Sequence, residues 1–228
     1  MARNGDYDVE FFWDPVCPFA WVTSRWLAKV ADQRTYSVDW RLISLKVLNE
    51  DKDDLPENYG SMHTFGMELL RVAAAARERF GREPMGPLYT AFGESIWNND
   101  PSVLEGRSRA EVLGNHDRTG ELLAQAGLPS ELAAAASEPE WDEVLRAETA
   151  DALSRTGDDL GTPIITFFPD GEDDSVSFFG PVISRIPDDD EALRLWDAVL
   201  TLAEWPGFAE LKRSLREMPQ IPLLAGMS

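Results

Sequence analysis

Val9-Glu10-Phe11-Phe12-Trp13-Asp14-Pro15-Val16-Cys17-Pro18-Phe19-Ala20-Trp21 reads as an apolar strand, a turn and a Cys-Pro pair that opens a helix. Pro18 suits the first helical turn, where its missing N–H leaves no bond unmade. That order sets Cys17 at a helix N-terminus, where free amides and the helix dipole favour a thiolate. Cys17 is the sole cysteine of the 228 residues. Ala20 stands where a second cysteine would close a C-x-x-C pair, so an internal disulfide is excluded.

Outward from this turn, the first helix is predicted from Pro18 to about Asp32. Tyr36, Val38, Trp40 and Leu42 then alternate with Ser37, Asp39 and Arg41, the period of a strand with one buried face. The unit is β-α-β, with a right-handed crossover expected. From Asp51 the chain becomes charged and proline-broken, and a long helical block follows. Phe65, Leu69, Val72, Ala76 and Phe80 recur at helical spacing within it. Strand character returns at Ile164 to Phe168 and Val176 to Phe179. A last helix is predicted near Asp188, with Leu193, Trp196, Leu200 and Ala203 on one stripe. Neither strand group alone buries both of its faces, so the two must meet in one sheet. The expected fold is α/β, with residues 1–50 and 159–228 forming one discontinuous domain around an all-helical insertion, 51–158.

Lys and Arg total 21 against 41 Asp and Glu, a formal net charge of −20. Such a surface repels phosphate backbones and anionic lipids, so neither nucleic acid nor a membrane surface is an expected partner. The global charge also opposes a thiolate, so any lowering of the Cys17 pKa must come from local dipoles. No apolar run approaches a bilayer span, and Met1 to Asp8 lacks the pattern of a secretory signal. With one free thiol, the expected compartment is the cytoplasm.

Cys17-Pro18-Phe19-Ala20, Gly161-Thr162-Pro163-Ile164 and Phe179-Gly180-Pro181 together resemble the DsbA family, a thioredoxin-like fold with an inserted helical domain. Asp14-Pro15-Val16-Cys17-Pro18, Trp21-Val22-Thr23-Ser24-Arg25-Trp26 and Phe178-Phe179-Gly180-Pro181-Val182 are similar to its mycothiol-dependent reductase branch. Members of that branch usually carry C-P-W-C; here Phe19 replaces the tryptophan and Ala20 the resolving cysteine. Kappa-class glutathione transferases and hydroxychromene-carboxylate isomerases share the architecture but usually place Ser at the Cys17 position.

The resemblance implies a cis Thr162-Pro163 bond facing a nucleophilic Cys17. The Thr162 backbone would then pair with an extended thiol ligand, as a strand adds to a sheet edge. Pro18, Phe19, Trp21, Asn49, Tyr59 and Phe179 are candidate walls of that site. Asn49 and Tyr59 follow the second strand at the seam between domains, where clefts form. The implied cosubstrate is a low-molecular-weight thiol, mycothiol or glutathione, acting on a small-molecule or disulfide substrate. No tightly bound cofactor is implied, and a homodimer is allowed. Three activities fit: thiol-disulfide exchange at Cys17, thiol transfer or cis–trans isomerisation by a bound thiol, and binding without catalysis. His63 and His116 lie in the helical block with no Cys or His partner at ligand spacing. No metal site is therefore expected, and both histidines read as solvated helix residues.

Overall fold

The computed structural model describes residues 7–52, 57–104, 116–157, 161–168, 175–213 and 217–225. Strand β1, Val9–Trp13, leads through the turn into helix α1, Pro18–Arg34. Strand β2, Val38–Leu42, follows, then the short helix α2, Leu45–Leu48. Helices α3, Glu57–Phe80, α4, Met85–Trp97, α5, His116–Gln125, and α6, Asp142–Thr156, come next, with 3₁₀ turns between them. Strands β3, Ile164–Phe167, and β4, Val176–Phe179, return the chain to the sheet before helix α7, Asp189–Ala203. The charged connection 53–56, residues 105–115 and the acidic turn near Asp170 lie outside the described residues.

The sheet order is β2-β1-β3-β4. β1 pairs parallel with β2 and antiparallel with β3, and β3 pairs antiparallel with β4. The two halves of the chain therefore share one sheet, with β1 and β3 at its centre. Both central strands are buried throughout, as strands covered on both faces must be.

Helix α1 crosses one face, with Trp26 and Val30 fully buried. The Trp26 indole donates to the Ala192 carbonyl of α7 at 2.9 Å. Helix α7 starts in a full capping box, Asp188 accepting the Glu191 amide and Glu191 reaching back to the Asp188 amide. Its buried residues are Ala192, Trp196 and Ala203, so the stripe runs through Ala192 rather than Leu193. On α3, Phe65, Leu69, Val72 and Ala76 are buried, while Phe80, at the helix end, is 40% exposed.

Strand β2 departs from the single buried face that its alternation predicts. Leu42 is buried, but so is Asp39 on the opposite face. Arg82 donates to Asp39 at 2.8 Å, and Arg41 lies among Glu10, Glu148 and Asp151. Helix α6 covers this side and supplies two of those three carboxylates, so a polar face of the strand is enclosed by ion pairs. Among the described residues, no helix is long and apolar enough to cross a membrane.

Candidate active site at the Cys17 turn

Cys17 is the N-cap of α1 and is 6% exposed. Its backbone is extended, and its Sγ accepts the Ala20 amide at 3.4 Å. The thiol donates to the Thr162 carbonyl at 3.8 Å, a contact across 145 residues of sequence. The sheet register explains this meeting. Phe12 pairs with Ile164 in an antiparallel ladder, so residues just before β3 lie beside those just after β1. The Thr162–Pro163 bond is cis. Phe179 pairs with Ile164 from the other side, and the Gly180 amide donates to the Pro163 carbonyl at 2.8 Å. Cys17, Pro18, Thr162, Pro163 and Phe179 are thus gathered at one end of the sheet.

The turn is held from several helices. The Cys17 amide donates to the Asp14 carbonyl at 3.1 Å. The Trp97 indole of α4 donates to the Pro15 carbonyl at 2.9 Å. Gly66 of α3 approaches so closely that a Cβ there would lie 2.7 Å from Val16 Cγ2. From α1, the Thr23 hydroxyl reaches the Pro181 carbonyl at 2.9 Å, fixing the chain that leaves β4. Phe19 is partly buried and packs on the core from within the turn.

Trp21 is packed into the core beside the turn. It is 1% exposed and fills the space beside Gly93, with the Arg25 guanidinium 4.2 Å from its ring centroid and Tyr89 edge-on. Its ring packs against α4 through Gly93 and Tyr89. Asn49 is partly buried at the end of α2, and its amide donates to the Leu45 carbonyl at 2.8 Å. Tyr59 is 49% exposed and meets His63 edge-on at 5.1 Å. His63 is buried rather than solvated, and that burial lowers its pKa and keeps it neutral. The His116 side chain lies outside the described residues.

The helix N-terminus was expected to lower the Cys17 pKa, but the thiol is pushed up. Burial is the largest cause, and the Asp14 carboxylate adds to it. Thr162 and the Ala20 and Phe19 amides pull the other way without prevailing. Thr162 is itself 6% exposed, and its hydroxyl oxygen is buried with no hydrogen-bond partner among the described residues. Sequence reasoning passed over Asp14. Its signal was a carboxylate set between a wholly apolar strand end and the helix that carries the only thiol.

This site on this sheet defines a DsbA-like, thioredoxin-fold protein. Residues 16–213 match the Rv2466c-like family, described as mycothiol-dependent nitroreductase Rv2466c, and the chain belongs to that family. It is 29% identical over 209 residues to the uncharacterized protein Rv2286c of Mycobacterium tuberculosis, covering 90% of this chain and 81% of that one. Among solved structures, it is similar to the cytosolic disulfide reductase DsbM from Pseudomonas aeruginosa, at a TM-score of 0.52 and 18% identity. That likeness covers 86% of this chain and 99% of DsbM, and a second DsbM structure contains GSH. A 2-hydroxychromene-2-carboxylate isomerase aligns at a TM-score of 0.51 and 15% identity, over 85% of this chain and 95% of the isomerase. At these identities the structural likenesses define the fold.

Proposed function

We propose that the chain is a cytoplasmic, thiol-dependent oxidoreductase that uses Cys17 as a single nucleophile and mycothiol as its exchanging thiol. The observation that carries the reading is the Cys17 Sγ at the α1 N-cap, facing the Thr162 carbonyl at 3.8 Å. Membership of a family described as mycothiol-dependent supports the choice of thiol.

The Cys17 thiolate attacks a disulfide R–S–S–R. A Cys17–S bond forms, the R–S–S–R bond breaks and RS⁻ leaves with the electron pair. With alanine at position 20, a mycothiol thiolate MS⁻ then attacks the substrate sulfur of the Cys17–S–S–R mixed disulfide, the Cys17 thiolate leaves and M–S–S–R forms, so the substrate disulfide is reduced at the expense of mycothiol. Thr162 and Pro163 line the approach, with Pro18, Phe19 and Phe179 beside them. Asn49 and Tyr59 belong to the far side of the same cleft. The helical segment 51–158 acts as an inserted domain that closes over the sheet formed by 1–50 and 159–228. Its partners are the small thiol and a small-molecule or disulfide substrate, and a homodimer is compatible with this reading.

Intact-protein mass after incubation with mycothiol disulfide, and separately with glutathione disulfide, tests this. One mycothiol adduct is expected, mapping to Cys17 and released by free mycothiol; Cys17→Ser removes it. No adduct from either disulfide on folded protein sinks thiol exchange. The raised Cys17 pKa favours a second reading for that case, in which the bound small thiol attacks the substrate as in a thiol transferase or cis–trans isomerase. There Cys17→Ser retains turnover.

A further inference from the structure

Asp14 is fully buried between β1 and the Cys17 turn. Its Oδ1 accepts the Val16 amide at 2.9 Å, and its Oδ2 accepts the Leu45 amide at 2.8 Å. One side chain thus ties the backbone that presents the thiol to the first residue of α2, the helix that carries Asn49.

The groups around this carboxyl come from four helices. From α1, Cys17 lies near enough for the two negative charges to oppose each other. From α2 it receives the Leu45 amide, while Lys46 is exposed. From α3 the neighbour is Gly66, where a Cβ would lie 2.9 Å from Asp14 Oδ1; His63, one turn earlier, is held neutral by burial. From α4 comes Tyr89, whose hydroxyl is pushed up by burial first, with Arg25 opposing and Cys17 and Asp14 adding. Arg25 itself lies over the Trp21 ring. Burial raises the Asp14 pKa to about 7, and the Leu45 and Val16 amides offset only part of that rise. Asp14 and Cys17 are therefore two acids in one buried site, and each ionisation opposes the other.

We propose that Asp14 is a positioning residue for exchange at Cys17, its carboxylate clamping the turn to α2 while its charge restrains formation of the thiolate. This rests on the reading of Cys17 as the nucleophile. A neutral carboxyl releases the restraint, so Cys17 gains less from rising pH than an isolated thiol does.

The test is the rate at which methyl methanethiosulfonate modifies Cys17, read by intact mass in the wild type and Asp14→Asn. In this reaction the thiolate displaces methanesulfinate; the new Cys17–S–SCH₃ bond forms as the thiosulfonate S–S bond breaks, and the thiol proton goes to solvent. The reagent is neutral, so its own charge leaves the profile unaltered. The Asp14→Asn to wild-type rate ratio is expected to be near one at about pH 5.5 and about tenfold by about pH 8.5. A ratio that is constant with pH overturns the proposal, because a purely structural clamp changes the rate equally at every pH.

If Asp14→Asn does not fold, the ¹³C shift of the Asp14 carboxyl in the wild type decides. A midpoint near 7 is expected, and one at the ordinary carboxylate value overturns the proposal. No mycothiol enters either assay. Failure of the mycothiol adduct with an intact pH-dependent ratio therefore removes only the cosubstrate reading, and a constant ratio beside a good adduct removes only the role of Asp14.

Discussion

At Cys17 two opposing influences act on one sulfur atom. The α1 N-terminus supplies amides that favour the thiolate, and a 6% exposed setting removes the water that would solvate it. Burial wins, and Asp14 reinforces it. Asp14 bears the same cost in its own ionisation, with a visible consequence for stability. Its carboxyl is raised from 3.8 to about 7 on folding, so the folded state holds a proton that the unfolded chain has released. Stability at this site is therefore full below about pH 4 and falls as pH rises to about 7. The loss is about 4 kcal/mol at about 1.4 kcal/mol per unit. Urea unfolding of the wild type and Asp14→Asn at about pH 5 and about pH 8 should show the variant gaining relative stability at the higher pH. An equal stability difference at both pH values would mean that the carboxyl titrates normally.

Among the elements, α1 and α4 set the packing beside the site. Their contact is made by Gly93, where an added Cβ would fall 2.1 Å from Trp21 Cζ3. Trp21 cannot swing away, because Arg25 stacks on one side and Tyr89 meets it edge-on. Gly93→Ala should therefore cost about 2–3 kcal/mol in chemical denaturation, the range of a strained overpacked core. A loss under about 0.5 kcal/mol would show that α4 slides freely. The start of α1 was legible in the sequence because Pro18 at the first helical position and the Asp14-Pro15 turn are local signals. β1 was legible because four of its five residues, Val9, Phe11, Phe12 and Trp13, are apolar, as a central strand buried on both faces requires. The placement of Trp21 was not, because a tryptophan in the first helical turn serves equally as core or as pocket wall until α4 is in place. The buried face of β2 was equally hidden. Asp39 and Arg41 read as solvated, and their enclosure depends on Arg82 and Glu148, 43 and 107 residues away.

Over the whole molecule, the helical block is joined to the sheet by charge as well as by apolar packing. Glu148 of α6 is 6% exposed and accepts from Arg41 of β2 at 2.7 Å, from Arg77 of α3 at 2.7 Å and from the Leu42 amide at 3.1 Å. Arg41 also donates to Glu10 of β1 at 2.7 Å. Arg41 and Arg155 both lie over the Phe12 ring, at 5.1 and 5.3 Å. One carboxylate thus joins β2, α3 and α6 behind the strand that leads into Cys17. Burial alone would raise the Glu148 pKa, but Arg77 and Arg41 overcome it and the net shift is downward. Its contribution is therefore present above the ordinary glutamate range and lost as pH falls below it, opposite in sign to Asp14. Glu148→Gln keeps the shape and removes the charge, leaving two largely buried guanidiniums short of an anionic partner. The expected cost is about 3 kcal/mol, the lower end for breaking a buried ion pair. Native-state hydrogen exchange should also show faster exchange of the β2 amides, beginning with Leu42, while those of α7 are unchanged. A loss under about 1 kcal/mol would place this network with surface ion pairs, and apolar contacts alone would then hold the helices over the Cys17 end of the sheet.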